Sequence, residues 1–187
     1  MIFFSKKIII STLTTHIPLN KINNYLKNKE LIFKKIKSIN ELLKKDFNIQ
    51  NPKIAIAGLN PHAGEFGSIG HEEITILKPI INRLIKKGVN IKGPFSPDTI
   101  FTKTNRVKYD CFICNYHDQA LIPFKLISQF SGINYTGSLD IVRTSPDHGT
   151  AYNLVNSNLA NDKSLINAFI YAEKIYLNRK RHQIDKT

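Results

Sequence analysis

The chain has 187 residues, 42% of them hydrophobic, and its 27 Lys and Arg against 14 Asp and Glu leave a net charge of +13. That length and apolar content suit one domain with a real core, and no apolar run is long enough to span a membrane. The cations are overwhelmingly Lys, scattered among abundant Ile and Asn, which reads as compositional drift rather than a surface built to read phosphates; no specific nucleic-acid partner is expected.

The opening Met1-Ile2-Phe3-Phe4-Ser5-Lys6-Lys7 places its apolar part before its charges, the reverse of a signal peptide. Residues 7–11 are β-branched and short, hence a strand, and lead through Ser11 to Thr15 into His16. From about Lys21 to Lys45 the apolar residues Ile22, Leu26, Phe33, Ile36, Ile39 and Leu43 recur at near-helical spacing. This predicts one helix whose Lys34, Lys35, Lys37, Lys44 and Lys45 form a solvated face. Residues 53–57 predict a second strand, followed by the Gly- and Pro-rich stretch Gly58 to Gly70 that carries His62 and Glu65.

Glu72 and Glu73 suit the positive end of a helix dipole. That helix takes Ile74, Leu77, Ile81, Leu84 and Ile85 as its apolar stripe, stops near Gly88, and is kinked or shifted in its start by Pro79. Residues 109–114 predict a third strand, ending in Asn115, Tyr116 and His117, and Ile141-Val142 a short fourth. Ser164 to Leu177 reads as a closing amphipathic helix, with residues 179–187 as a frayed tail. Strand–helix alternation argues for a single α/β domain over 1–187, with a mostly parallel sheet flanked by helices.

Three of these strands deliver a histidine just past their carboxyl ends, where open α/β sheets bind ligands. Topology therefore permits His16, His62 and His117 to converge, although their spacing matches no local metal motif. Asp118 stands ready to orient His117, and Lys125, seven residues on, to neutralise a phosphate or carboxylate. Arg143 at a strand end suits bidentate recognition of such a group. His148-Gly149-Thr150 adds an imidazole, a flexible backbone and a hydroxyl. Cys111 and Cys114 form a C-x-x-C, but within a strand positions three apart point to opposite faces, so neither zinc nor redox chemistry is expected. Two cysteines give no disulfide framework, which fits a reducing, cytoplasmic setting.

Taken together, Gly58-Leu59-Asn60-Pro61-His62-Ala63-Gly64-Glu65, Tyr116-His117-Asp118-Gln119 and Arg143-Thr144-Ser145-Pro146-Asp147-His148-Gly149-Thr150-Ala151 resemble the signature blocks of the 4-hydroxythreonine-4-phosphate dehydrogenase family of pyridoxal phosphate biosynthesis. Thr14-Thr15-His16-Ile17-Pro18-Leu19 resembles a fourth block, so the likeness runs from about Ser11 to Leu177. It covers the C-terminal part of a longer family chain, and implies an N-terminally shortened version of the isocitrate/isopropylmalate dehydrogenase-like fold. Phe66 and Ser68 stand where the family often has glycine and histidine, and Ser138-Leu139-Asp140 departs from its usual Gly-Leu-Pro.

The resemblance further implies a homodimer with one divalent metal (zinc, magnesium or cobalt) near the subunit interface, on His16, His62 and His117. It implies substrate contacts from Lys125, Asn134 and Arg143, with Lys125 and Asp118 as candidate catalytic residues. NAD or NADP would bind at His148, Gly149, Thr150 and Asn161. The expected reaction oxidises the secondary hydroxyl of a small phosphorylated substrate to a β-keto acid, which then loses carbon dioxide. A sister dehydrogenase acting on threonate or erythronate 4-phosphate shares these motifs, and a non-catalytic truncated remnant is the alternative of a different class.

Overall fold

The computed structural model describes residues 1–149, 152 and 159–184. One seven-stranded sheet runs through it in the order β4-β3-β5-β2-β1-β6-β7. The strands are β1 (Ile2–Ser5), β2 (Ile8–Thr12), β3 (Ile54–Ala57), β4 (Ile91–Phe95), β5 (Cys111–Cys114), β6 (Ile133–Thr136) and β7 (Arg143–Pro146). The half β4-β3-β5-β2 is parallel, as strand–helix alternation requires. From β2 onward every pairing is antiparallel. The sheet is thus mixed, and its antiparallel half begins at the first residues of the sequence: Ile2 to Ser5 form a hairpin with β2 across Lys6 and Lys7, and Ile2 and Phe3 are buried.

The inner parallel strands β2, β3 and β5 read as largely apolar runs because both of their faces are covered. One face (Ile9, Ile54, Ile56, Cys111, Ile113) packs on Ile32, Ile36 and Leu43 of α2 (Lys29–Lys45) and Leu84 of α3 (Lys78–Lys86). The other (Ile10, Ala55, Ala57, Phe112, Cys114) packs on Ala120 and Phe124 of α5 (His117–Ser128). Cys111 and Cys114 are therefore buried on opposite faces as free thiols, and burial pushes both thiol pKa values up.

The helix expected over Lys21–Lys45 is interrupted. A short α1 (Ile22–Leu26) ends before Asn28, which leaves helical geometry and accepts the Leu31 N–H to cap α2. Lys35 departs from the solvated face expected for its neighbours: it is half-buried and donates from Nζ to the Leu13 carbonyl at 2.7 Å. Pro79 does shift the start of its helix, occupying the first turn of α3 behind a π-helical turn over Glu73–Leu77. The strand expected at 141–142 lies instead at Arg143–Pro146, as β7, and Ile141 is exposed. A further short helix, α4 (Lys103–Lys108), precedes β5.

The C-terminal segment does not fray at 179. The final helix, α6, runs from Lys163 to Ile184, because Arg179 is buried against Asp46 at the end of α2. Its Nε donates to Asp46 Oδ1 at 2.9 Å and its Nη2 to the Tyr135 hydroxyl at 2.8 Å. That hydroxyl in turn donates to Asp46, and the Asn178 amide caps the Asp46 carbonyl at 2.8 Å. Among the described residues no helix is long and apolar enough to cross a membrane.

Candidate functional site

The carboxyl ends of β2, β3 and β5 are bolted together by side chains of the segment after β5. Asn115, fully buried, donates from Nδ2 to the Ala57 carbonyl at 3.0 Å. Gln119 accepts the Asn115 N–H at 2.7 Å and donates to the Gly58 carbonyl at 2.9 Å. On the other side, the Thr14 hydroxyl donates to the Asn115 carbonyl at 2.7 Å. The polar run after β5 is therefore half structural. Asn115 and Gln119 fix three strand ends, and so fix the roots of the loops carrying His16, His62 and His117.

The loop after β3 is unusual. Pro61–Gly67 coils as a short helical stretch of left-handed sense, with φ of 51° at His62, 52° at Ala63, 77° at Gly64, 41° at Glu65 and 57° at Phe66. Left-handed backbone costs about 1–2 kcal/mol at each non-glycine residue, so such a run persists only where its surroundings hold it. Glu73, almost fully buried at the next helical turn, accepts the Leu59 and Asn60 N–H groups at 2.7 and 2.8 Å. The acid expected to complement a helix dipole is instead turned into this loop.

His16 and His117 do meet: their ring centroids are 5.4 Å apart. They line one cavity of about 290 Å³ with Pro18, Tyr116 and Asp118. His117 Nδ1 and Asp118 Oδ1 are 2.6 Å apart, which directs the Nε2 lone pair outward. His62 does not join them. It lines a second cavity, of about 390 Å³, with Pro97, Asp98 and Gln119, and the Tyr116 ring is the wall common to both. Asp98, which lines this cavity, carried no motif signal in the sequence. Its carboxyl is held below the ordinary range by the Ser96 hydroxyl, and further by the nearby His62.

Among the described residues of one chain, no three His, Cys, Asp or Glu side chains are grouped so as to hold a metal ion. The donor chemistry nonetheless fits a divalent cation at His16 and His117, one imidazole carrying a carboxylate on its far nitrogen. The chain brings together two of the three expected ligands.

The expected substrate contacts share one face of the sheet. Asn134 lies opposite Phe3 and Ser145, and Arg143 opposite Thr136, all on the side covered by α5. Arg143 is exposed and donates to the Thr136 hydroxyl at 2.8 Å. Asn134 Oδ1 is buried without a hydrogen-bond partner, an orphan acceptor on that face. Lys125 is exposed on α5, seven residues from Asp118 and so on the same helical face, about 10 Å along the axis. Its charge is felt by Asp147, half-buried, whose carboxyl is nevertheless raised, chiefly by burial.

Of the expected cofactor residues, His148 and Gly149 are exposed, and a Cβ at Gly149 would meet nothing. Asn161 accepts the Lys163 N–H at 3.1 Å, at the start of α6. Thr150 lies outside the described residues.

A family model for the pyridoxal phosphate biosynthetic protein PdxA matches residues 1–172. The chain belongs to the PdxA family. It is 42% identical over 94% of its length to the 4-hydroxythreonine-4-phosphate dehydrogenase of Bradyrhizobium diazoefficiens, covering 50% of that protein. It is 43% identical, over 94% of its length, to the enzyme of that name from Aquifex aeolicus, covering 53% of it. The crystal structure of 4-hydroxythreonine-4-phosphate dehydrogenase from Klebsiella pneumoniae superposes with a TM-score of 0.79 at 35% identity, over 93% of this chain and 53% of that one. The α/β architecture is thus that of solved PdxA-family dehydrogenases. The chain spans about half the length of the curated relatives it matches.

Proposed function

We propose that this PdxA-family chain carries the metal and substrate-anchoring part of a 4-hydroxythreonine-4-phosphate dehydrogenase, acting in the NAD-dependent oxidation and decarboxylation of 4-phosphohydroxy-L-threonine to 3-amino-2-oxopropyl phosphate. The observation that carries the reading is the pairing of His16 with His117, the latter backed by Asp118 at 2.6 Å, with Lys125 on the same helical face. Since His62 of the same chain faces a separate cavity, the third ligand in this reading comes from His62 of a second copy, which makes a homodimer the working unit.

The roles follow from chemical type. His16 and His117 offer neutral imidazole nitrogens to a divalent zinc, magnesium or cobalt ion, and Asp118 keeps the His117 proton on Nδ1. Arg143 presents a planar fork to the substrate phosphate and Lys125 a point charge to phosphate or carboxylate. Asn134, with its orphan carbonyl oxygen, accepts from a substrate N–H or O–H. His148, Gly149, Thr150 and Asn161 contact NAD or NADP. In the reaction the C3 hydrogen leaves as hydride and the hydroxyl proton is released; the resulting 2-amino-3-oxo acid then loses its carboxylate as carbon dioxide, and the former C2 takes up a proton in its place. A metal held by His16 and His117 would supply Lewis-acid polarisation, and NAD held beside His148 and Gly149 would supply the hydride acceptor. Buried free thiols at Cys111 and Cys114 support a cytoplasmic setting.

Cobalt or zinc titration of the purified chain tests the metal, with His16→Ala and His117→Ala alongside. Binding by wild type that both variants lose supports the reading, and no binding by wild type defeats it. NADH formation from 4-phosphohydroxythreonine, compared with threonate 4-phosphate, then distinguishes the proposed reaction from that of the sister dehydrogenase. Silence with both substrates while metal is bound points to a remnant that folds without turning over.

A further inference from the structure

We propose that Glu73 is the positioning residue for His62, holding the loop after β3 in its left-handed turn so that the imidazole projects from that turn at a fixed place. Four observations converge on it. The run His62 to Phe66 has positive φ throughout, a conformation that four of its five residues, being non-glycine, do not adopt unaided. Both oxygens of the buried Glu73 carboxylate face the loop: Oε1 accepts the Leu59 and Asn60 N–H groups, and Oε2 accepts the Asn60 side-chain amide at 3.0 Å.

The glycines of the loop are fitted to this clamp. A Cβ on Gly64 would lie 2.6 Å from Glu73 Oε2, and one on Gly70 would lie 2.3 Å from Asn60 Nδ2. Finally, the clamp is braced from outside. Glu72 accepts the same Asn60 amide at 2.8 Å and the Asn23 amide at 2.6 Å, which ties the turn to α1. The bonds that Glu73 accepts all come from Leu59 and Asn60, the two residues immediately before Pro61-His62, so the carboxylate sets where the turn begins and hence where the imidazole points.

The role of Glu73 in shaping the turn stands on this geometry; its consequence for metal binding rests on the function proposed above, and the experiment separates the two. Solution NMR of the whole chain reads φ at residues 62–66 through couplings and the short intraresidue distance from N–H to Hα that positive φ produces. Cobalt affinity is measured in parallel for wild type, Glu73→Gln, His62→Ala and the double variant. Gly64→Ala serves as a second variant, which crowds the clamp without removing it.

The expected result is loss of the positive-φ signature in Glu73→Gln, with the sheet resonances unmoved. Cobalt should bind roughly 10- to 100-fold more weakly to Glu73→Gln, with no further loss when the substitution is added to His62→Ala. Gly64→Ala should shift the same resonances and the same affinity. Retention of the turn in Glu73→Gln, or cobalt losses that add in full to those of His62→Ala, overturns the proposal. If wild type binds no cobalt, the metal reading fails, and the turn signature alone upholds or overturns the part played by Glu73.

Discussion

Asp118 and His117, adjacent in sequence at the first turn of α5, face each other at 2.6 Å between Oδ1 and Nδ1. A carboxylate on one ring nitrogen fixes the tautomer and leaves the other nitrogen as the ligand, so the metal affinity of His117 should depend on a residue that never touches the ion. Asp118→Asn keeps an acceptor but removes the charge. We expect cobalt affinity to fall roughly 10- to 100-fold by calorimetric titration while the melting temperature stays close to wild type; unchanged affinity would show that the pair is incidental.

The tie across the strand ends gives a stability prediction. Gln119→Leu leaves the Asn115 N–H and the Gly58 carbonyl without their partner. Such a loss costs about 1–3 kcal/mol, to be read from the urea midpoint. The substitution should also broaden the resonances of His62 and His117, because the loops bearing them lose a shared root.

Removing Arg179 should be more damaging. Asp46 is fully buried, and Arg179→Ala strands its charge beside the Tyr135 hydroxyl. Uncompensated buried charges of this kind cost about 3–5 kcal/mol. The paired substitution Asp46→Asn with Arg179→Met leaves no isolated charge and should be less destabilising than Arg179→Ala alone. Equal losses in denaturant titration would locate the effect in packing instead.

Asp147 supplies the pH dependence. Burial raises its carboxyl, against the opposing pull of the Ser164 hydroxyl and the Lys125 charge. A carboxyl raised on folding binds its proton more tightly in the native state. Its contribution is therefore full below the unfolded value and is lost as pH rises through the folded one. Glu72 and Asp98, both lowered, work in the opposite sense. The measurement is accordingly a difference: the melting temperature of Asp147→Asn minus that of wild type should increase with pH across the acidic carboxyl range. A flat difference contradicts the assignment.

The inner strands of the parallel half were legible because, covered on both faces, they spell apolar runs such as Ile54-Ala55-Ile56-Ala57. The edges were not. β4 contains Gly93 and Pro94, residues that argue against a strand and are tolerated only because β4 pairs on one side. β7 is a polar edge, Arg143-Thr144-Ser145-Pro146, with no alternation to betray it, while Ile141 beside it drew the expectation two residues early. Arg179 reads as a tail residue until Asp46, 133 positions away, is found beneath it.

At the site, the strand-then-histidine pattern put His16 and His117 at strand ends, and their ring centroids lie 5.4 Å apart. It said nothing of the direction in which the His62 loop coils. Glycine and proline between Gly58 and Gly70 announce a turn, but a left-handed run through His62, Ala63, Glu65 and Phe66 leaves no trace in residue type. Glu73, the residue braced against it, is indistinguishable in sequence from an ordinary acid at a helix start.

That reversed coil also limits how this chain can diverge. Isoleucine packs its strands and helices throughout. Between residues 62 and 66 a β-branched side chain would collide with its own backbone, so the isoleucine that packs the rest of the chain has no place in this loop. Phe66, almost fully solvent-exposed, marks the limit of that tolerance: bulk is admitted there, branching at Cβ is not.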